Sequence, residues 1–416
     1  MTPPADRAPP FAALYSAFAA AYFLSYLYRT INAVISPELT RELSLAPGSL
    51  GFLTSAYFVA FALMQLPLGM LLDRYGPRRV EPALLSVAAT GALLFAYAGT
   101  LPGLAIGRAI IGAGVAACLM APLKGLALWY PKERHGSLAG WIMVAGGLGA
   151  LAATAPLEVA LRFMSWRMAF VVLAGCTYAV AAWLWLSVPD VASGATASGV
   201  REQWRGVQRV LAHPRFWWIA PLGGFGMGAF MAIQGLWAVT WMMDVGGLSR
   251  ATAASHLLVL SVLILGGYLL LGLFAASLER QGIRARHLFV AGFSLNALAL
   301  AMLASEVPGA PLWWALYGFG ASANVLAFSV LNEGFPAELA GRANTALNLM
   351  MFTGSFVTQW GIGVVVDAAR QLAGVDTAAG LRYAFALVTL LDLATLAWFL
   401  VGWKRYAGVP TLRPAG

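Results

Sequence analysis

Tyr22, Ser25, Tyr26, Arg29, Asn32 and Ser36 recur at spacings of three and four residues, which on an α-helix places them along one side. Phe23, Leu24, Leu27, Ile31 and Val34 fill much of the remaining circumference. The apolar run that holds them is long enough to cross a bilayer, where a buried arginine costs about 3 kcal/mol or more. Such a stripe is expected to face a water-filled cavity or the polar interior of a bundle. There the guanidinium of Arg29, with Tyr26 and Asn32 beside it, suits anion binding through charge-assisted hydrogen bonds. The competing reading is that Arg29 snorkels to the nearer membrane surface.

Other polar residues lie within apolar runs. Arg108 and Lys124 share the fourth run, but on a straight helix they point about 160° apart. Pro122 would kink that helix and re-aim Lys124. Lys124 then reads either as a second anion contact or as a snorkelling lysine. Gln234 and Trp237 in the seventh run are cavity candidates, as are Asn324 in the tenth and Asn344, Asn348 and Gln359 in the eleventh. Each amide would alternatively bridge helices. Asp392 is the acid that stands clearly mid-run; Asp244 and Glu333 sit near helix ends, and His256 opens the eighth run. A proton is therefore a compatible coupling ion, though no motif spells it out. Cys118 and Cys176 lie inside apolar runs and read as small core residues. No metal-spaced His/Cys cluster, nucleophile elbow or phosphate loop is present, so neither an enzyme nor a metal or cofactor is expected.

The elements that must position these residues follow from composition. The chain has 416 residues, 60% hydrophobic and only 10% charged, against about 25% charged in soluble domains. Twelve apolar runs are visible, near 11–35, 49–72, 81–101, 103–130, 137–161, 167–188, 216–243, 252–277, 287–305, 311–332, 344–366 and 383–403. Helices satisfy their own backbone in lipid, so an all-α polytopic membrane protein with twelve transmembrane helices is expected. The stretch "MTPPADRAPP" lacks the basic region and cleavage site of a signal peptide, so the first run is kept as a helix.

A net charge of +9 reports topology rather than a nucleic-acid partner. With a cytoplasmic N-terminus, most of the 26 Lys and Arg fall on the cytoplasmic side, and only Arg41, Arg162, Arg167, Arg250, Arg370 and Arg382 lie outside. That asymmetry places both termini in the cytoplasm.

The longest polar interval, 189–215, begins with small residues and becomes amphipathic, with Val200, Trp204, Val207, Val210 and Leu211 on one side. It separates a first six-helix bundle, 1–188, from a second, 216–416. The halves are related: "LDRYG" at 72–76 matches "LERQG" at 278–282, and "YPKERHG" at 130–136 matches "FPAELAG" at 335–341, at nearly one offset. Parallel six-helix repeats are a transporter architecture, whose substrate site is expected near mid-membrane between the repeats.

"GMLLDRYGPRRV", 69–80, closes the second run. Gly69 permits close helix packing, Gly76-Pro77 forces a tight turn, and Asp73 is placed to meet a helix N-terminus or an arginine. The segment resembles the loop signature of the major facilitator superfamily at Gly69, Leu71, Asp73, Arg74, Gly76 and Arg79. "RAIIGAGVAA" from Arg108 resembles that family's fourth-helix pattern, and "GRANTALNLMMFTGSFVTQWG" its eleventh helix. The resemblance implies two pseudo-symmetric six-helix bundles. It also implies gating or coupling roles for Gly69, Asp73, Arg74, Gly76, Arg79 and Arg108, with Glu279 and Arg280 in the repeated loop.

Arg29 followed by Pro37 also resembles the first helix of the family's sugar- and glycerol-phosphate antiporters, in which the arginine contacts the substrate phosphate. Those proteins carry a second arginine in the seventh helix, where this chain has "AIQGLWAVTW". A single guanidinium suits a carboxylate better than a dianionic phosphate. The function expected is secondary transport, symport or antiport, of a small organic anion by alternating access. An exporter of amphipathic drug-like compounds is the alternative. A monomer in a plasma membrane is expected, and the Ala-, Gly- and Arg-rich composition points to a bacterial inner membrane.

Overall fold

Proline decides where several of the apolar runs stop being regular helix. The computed structural model describes residues 11–406 except 131, 190–199, 334 and 336. Among these residues there is helix and no strand. Nine helices are long and apolar enough to cross a membrane, and Leu101–Gly114 and Leu138–Ala152 are shorter apolar ones.

By its internal contacts the chain forms two units, Met1–Ser44 with Ala56–Val200, and Leu45–Ser55 with Arg201–Gly416. The first contains α1 (Phe11–Thr30), α2 (Asn32–Leu43), most of α3 (Pro47–Tyr75), α4 (Pro77–Tyr97), α5 (Leu101–Gly114), α6 (Met120–Trp129), α7 (Lys132–Ala152), α8 (Ala155–Ala160) and α9 (Trp166–Ser187).

The first run is two helices that part at Ile31. Proline 37 has no N–H to give the carbonyl four residues back; the Ser36 hydroxyl donates to that Ala33 carbonyl instead, at 3.2 Å. Of the polar stripe Tyr22, Ser25, Asn32 and Ser36 are buried and Tyr26 and Arg29 half-buried, but Leu24, Leu27, Ile31 and Val34 are buried too. This element therefore runs through the interior of its unit rather than showing an apolar face to lipid.

The fourth run breaks at Val115–Leu119, between α5 and α6. Pro122 again withholds a backbone donor, here from the Cys118 carbonyl. The expected single straight helix bearing both Arg108 and Lys124 is thus two pieces. Run five likewise turns at Ala153–Thr154 before α8, which has Pro156 in its first turn.

The second unit holds α10 (Val200–Leu211), α11 (Pro214–Ala220), α12 (Met227–Ala232), α13 (Ala238–Asp244), α14 (Arg250–Arg280), α15 (Ala285–Ala304), α16 (Ala310–Ala321), α17 (Leu326–Asn332), α18 (Ala337–Ala373) and α19 (Thr377–Tyr406). Two π-helical segments, Pro221–Gly226 and Ile233–Trp237, interrupt the seventh run, and a 3-10 turn, Ser322–Val325, interrupts the tenth. Its core gathers Phe216, Trp218, Phe289, Phe293 and Phe399. Trp218 stacks on Phe399 at 4.7 Å and donates to its carbonyl. The amphipathic face of α10 packs here through Val207 and Val210, while Arg205 and Arg209 stay exposed. The small-residue part of the expected linker lies outside the described residues.

The loop repeat is visible in the backbone. Gly76 has φ +74° and Gly282 φ +86°, a region where any side chain is strained. The other repeated segment, 130–136 against 335–341, falls partly outside the described residues.

Candidate transport site

In the first unit Arg29 closes α1 and faces aromatic rings. Its guanidinium carbon lies 4.4 Å from the Tyr26 ring centre and 5.4 Å from that of Phe61. It also interacts electrostatically with Tyr57, whose hydroxyl donates to the Ser25 carbonyl at 3.5 Å. Tyr22 meets Tyr26 edge-on at 5.0 Å and braces the first ring. Cation–π contacts of this kind contribute about 1–2 kcal/mol each when desolvated, which offsets part of the cost of the buried charge. Asn32 is almost wholly buried, and neither atom of its amide has a hydrogen-bond partner among the described residues. An orphaned buried amide costs about 1–3 kcal/mol, a cost that an arriving polar solute can remove.

Close packing fixes this arrangement. A Cβ on Gly149 of α7 would stand 2.1 Å from the Phe23 carbonyl oxygen, and one on Gly146 would stand 2.5 Å from the Tyr22 ring. Only glycine lets α7 lie this near α1.

Arg108 is fully buried and donates to the Tyr28 carbonyl at 2.9 Å. Its guanidinium carbon lies 5.0 Å from the ring centre of Tyr57. Tyr57 thus lies between the two arginines, with the buried Arg108 against its ring and the half-buried Arg29 interacting with it electrostatically. The sequence reading missed Tyr57, which lies in the uninterrupted apolar pattern of α3 and gives no signal of its own.

Lys124 is not part of this group. It forms an ion pair with Asp73, the acid of the 69–80 motif. The break at Val115–Leu119 sets α6 against the turn between α3 and α4, where Lys124 meets this carboxylate rather than Arg29. Asp73 itself was expected to meet a helix terminus or an arginine, and a lysine takes that place. Arg74 lies over the Tyr75 ring, and Arg79 is exposed. Gly69 sits within α3, Gly76 makes the turn, and Glu279 and Arg280 are exposed at the end of α14.

The second unit gathers part of its candidates. Trp237, in the second π segment, donates to the Gln359 carbonyl at 2.9 Å. Gln234, in the same segment, donates to Ser261 at 3.3 Å. A Cβ on Gly51 would come within 2.6 Å of that same Gln359 carbonyl, so the start of α3 packs directly on this pair. The N–H of Gly48 donates to Asp367 at 2.8 Å. Gln359 Oε1 and Asn324 Oδ1 are buried without a hydrogen-bond partner among the described residues. Asn324 lies in the 3-10 turn and Asn348 is half-buried on α18; no described contact joins either to Trp237.

A second residue escaped the sequence reading. Glu81 was assigned to the start of the third run, but α4 begins at Pro77, so Glu81 falls in its second turn and is completely buried. Proline favours the first helical position, and that was the signal available.

These features define an integral membrane protein built from helices that are interrupted at several points. The sequence model of the Major Facilitator Superfamily matches residues 18–359, and the chain belongs to that family. Among similar curated proteins, the hexuronate transporter of Escherichia coli (strain K12) is 31% identical over 162 residues, 39% of this chain and 38% of that one. A probable sulfoacetate transporter of Cupriavidus necator is 26% identical over 44% of this chain and 43% of its own. These two relatives are thus spanned over less than half of their length. The probable galactarate/D-glucarate transporter GarP of Escherichia coli (strain K12) is 23% identical, with 88% of this chain and 91% of that one covered. A crystal structure of a bacterial homologue of the human lysosomal transporter Spinster shares the fold, with a TM-score of 0.77 at 17% identity over 97% of this chain and 98% of that one. The relatives named here are transporters by name.

Proposed function

We propose that the protein is a secondary transporter of a small organic monoanion, a carboxylate before a phosphate, working by alternating access with protons as the coupling ion. Arg29 carries this reading: a guanidinium inside the first unit, set against the rings of Tyr26 and Phe61. A carboxylate can join that group edge-on without displacing either ring. The other cations nearby are engaged, Arg108 by the Tyr28 carbonyl and Lys124 by Asp73. One guanidinium then matches one negative charge. Relatives named for hexuronate, sulfoacetate and galactarate support an organic acid as cargo. Twelve spans with cytoplasmic termini, a monomeric working unit and a bacterial inner membrane complete the proposal.

The test is uptake of labelled D-galacturonate, D-glucuronate, sulfoacetate and glycerol phosphate into proteoliposomes. Wild type is expected to accumulate at least one monoanion, and Arg29→Ala to lose at least tenfold of that rate. Equal uptake of the anions by Arg29→Ala and wild type would overturn the anion site.

A further inference from the structure

Glu81 is completely buried in α4, and neither carboxyl oxygen has a hydrogen-bond partner among the described residues. A carboxylate left unpaired in such surroundings costs several kcal/mol even after relaxation. The group is therefore either neutralised by a bound cation or relieved by a change of conformation.

The charged and titratable side chains on the elements packed against α4 are mostly engaged elsewhere. Arg108 of α5 bonds the Tyr28 carbonyl, Lys124 of α6 pairs with Asp73, and Arg167 of α9 holds Glu42. Tyr178 of α9 bonds Thr90, and Cys176 of α9 is exposed. What remains is Cys118, which is buried in the break between α5 and α6. Close packing runs from α4 to the neighbourhood of Arg29: a Cβ on Gly114 of α5 would stand 2.3 Å from the Ala88 nitrogen of α4, and one on Gly112 of α5 would stand 2.2 Å from the Tyr57 carbonyl oxygen of α3. Broken helices in secondary transporters are where coupling cations are held.

We propose that Glu81 is the site of the coupling proton, and that its protonation is linked through the packing of α5 on α4 and α3 to anion binding at Arg29. In the step itself one proton from solution adds to a Glu81 carboxylate oxygen and leaves again on the other side of the membrane. No other bond is made or broken. This inference rests on the transporter reading above, and the test separates the two.

Full-length wild type, Glu81→Gln and Glu81→Asp are reconstituted in proteoliposomes with labelled D-galacturonate as probe. Accumulation driven by an acid-outside gradient is compared with gradient-free exchange of the same variant. Glu81→Gln is expected to lower the ratio of driven accumulation to exchange at least tenfold, and Glu81→Asp to restore part of it. Acid–base infrared difference spectra supply a readout that needs no substrate. A protonated-carboxyl band present in wild type and missing in Glu81→Gln supports the site. An unchanged ratio, an unchanged band, or accumulation that follows a sodium gradient at constant pH overturns it. If wild type moves no galacturonate at all, the cargo reading fails while the infrared band still decides the role of Glu81.

Discussion

Lys124 of the broken fourth run donates to Asp73 at the turn between α3 and α4, across 51 residues of sequence. The pair is only partly exposed, with side-chain accessibilities of 24% and 36%. It fastens α6 to that turn. A double-mutant cycle with Asp73→Asn and Lys124→Gln should give a coupling energy of about 1 kcal/mol in thermal unfolding. Either single variant should slow transport more than it changes KM, since the pair acts on conformation. Full additivity of the two variants would dissolve the link.

Arg29→Lys should retain charge and lose the planar fork that grips a carboxylate. Loss of one charge-assisted hydrogen bond, about 1.5 kcal/mol, corresponds to roughly a tenfold rise in KM. Tyr57→Phe keeps the ring over Arg108 but removes the hydroxyl behind the electrostatic interaction with Arg29, and should raise KM by a smaller factor. Concentration-dependent uptake by the two variants measures the order.

Glu42 accepts from Arg167 at 2.6 Å and from the Trp166 indole at 2.8 Å. Arg167 also donates to the carbonyls of Ala96 and Ala98, so it joins the ends of α2 and α4 to the start of α9. The Arg167 hydrogen bond holds the Glu42 carboxyl below its usual range against the opposing effect of burial. A lowered folded value means the contribution is complete above the unfolded value of about 4.3. It is lost as pH falls through the folded value. Melting temperature should therefore drop between about pH 5 and pH 3 more steeply in wild type than in Glu42→Gln.

Gly149→Ala tests the approach of α7 to α1. The new methyl would meet backbone at 2.1 Å, which cannot swing aside, so a loss of about 1–3 kcal/mol is expected. Gly140→Ala on the same helix meets nothing within 4 Å and should hold or raise stability. Thermal unfolding of both variants in one detergent decides it.

Much of this was legible from the chain, and the exceptions have physical causes. The family, the all-α class and the motif turn at Gly76 follow from apolar run length and residue order. The break near Pro122 was announced by proline, yet its consequence for Lys124 depends on which partner lies within reach, and Asp73 is far off in sequence. Glu81 was hidden because hydropathy marks where an apolar run begins, not where a helix begins. The 3-10 turn at Ser322–Val325 contains no proline and carries no local mark. Its geometry comes from packing against neighbours, such as Ala323 beneath Gly292.

Gly76 and Gly282 both turn at positive φ, one in each of the "LDRYG" and "LERQG" loops. A side chain is unwelcome at either. Beyond the shared turn the loops differ: Asp73 is latched by Lys124, while Glu279 lies at the surface as a plain elbow. One bend is thus pinned to a further helix, and its repeat ends in solvent.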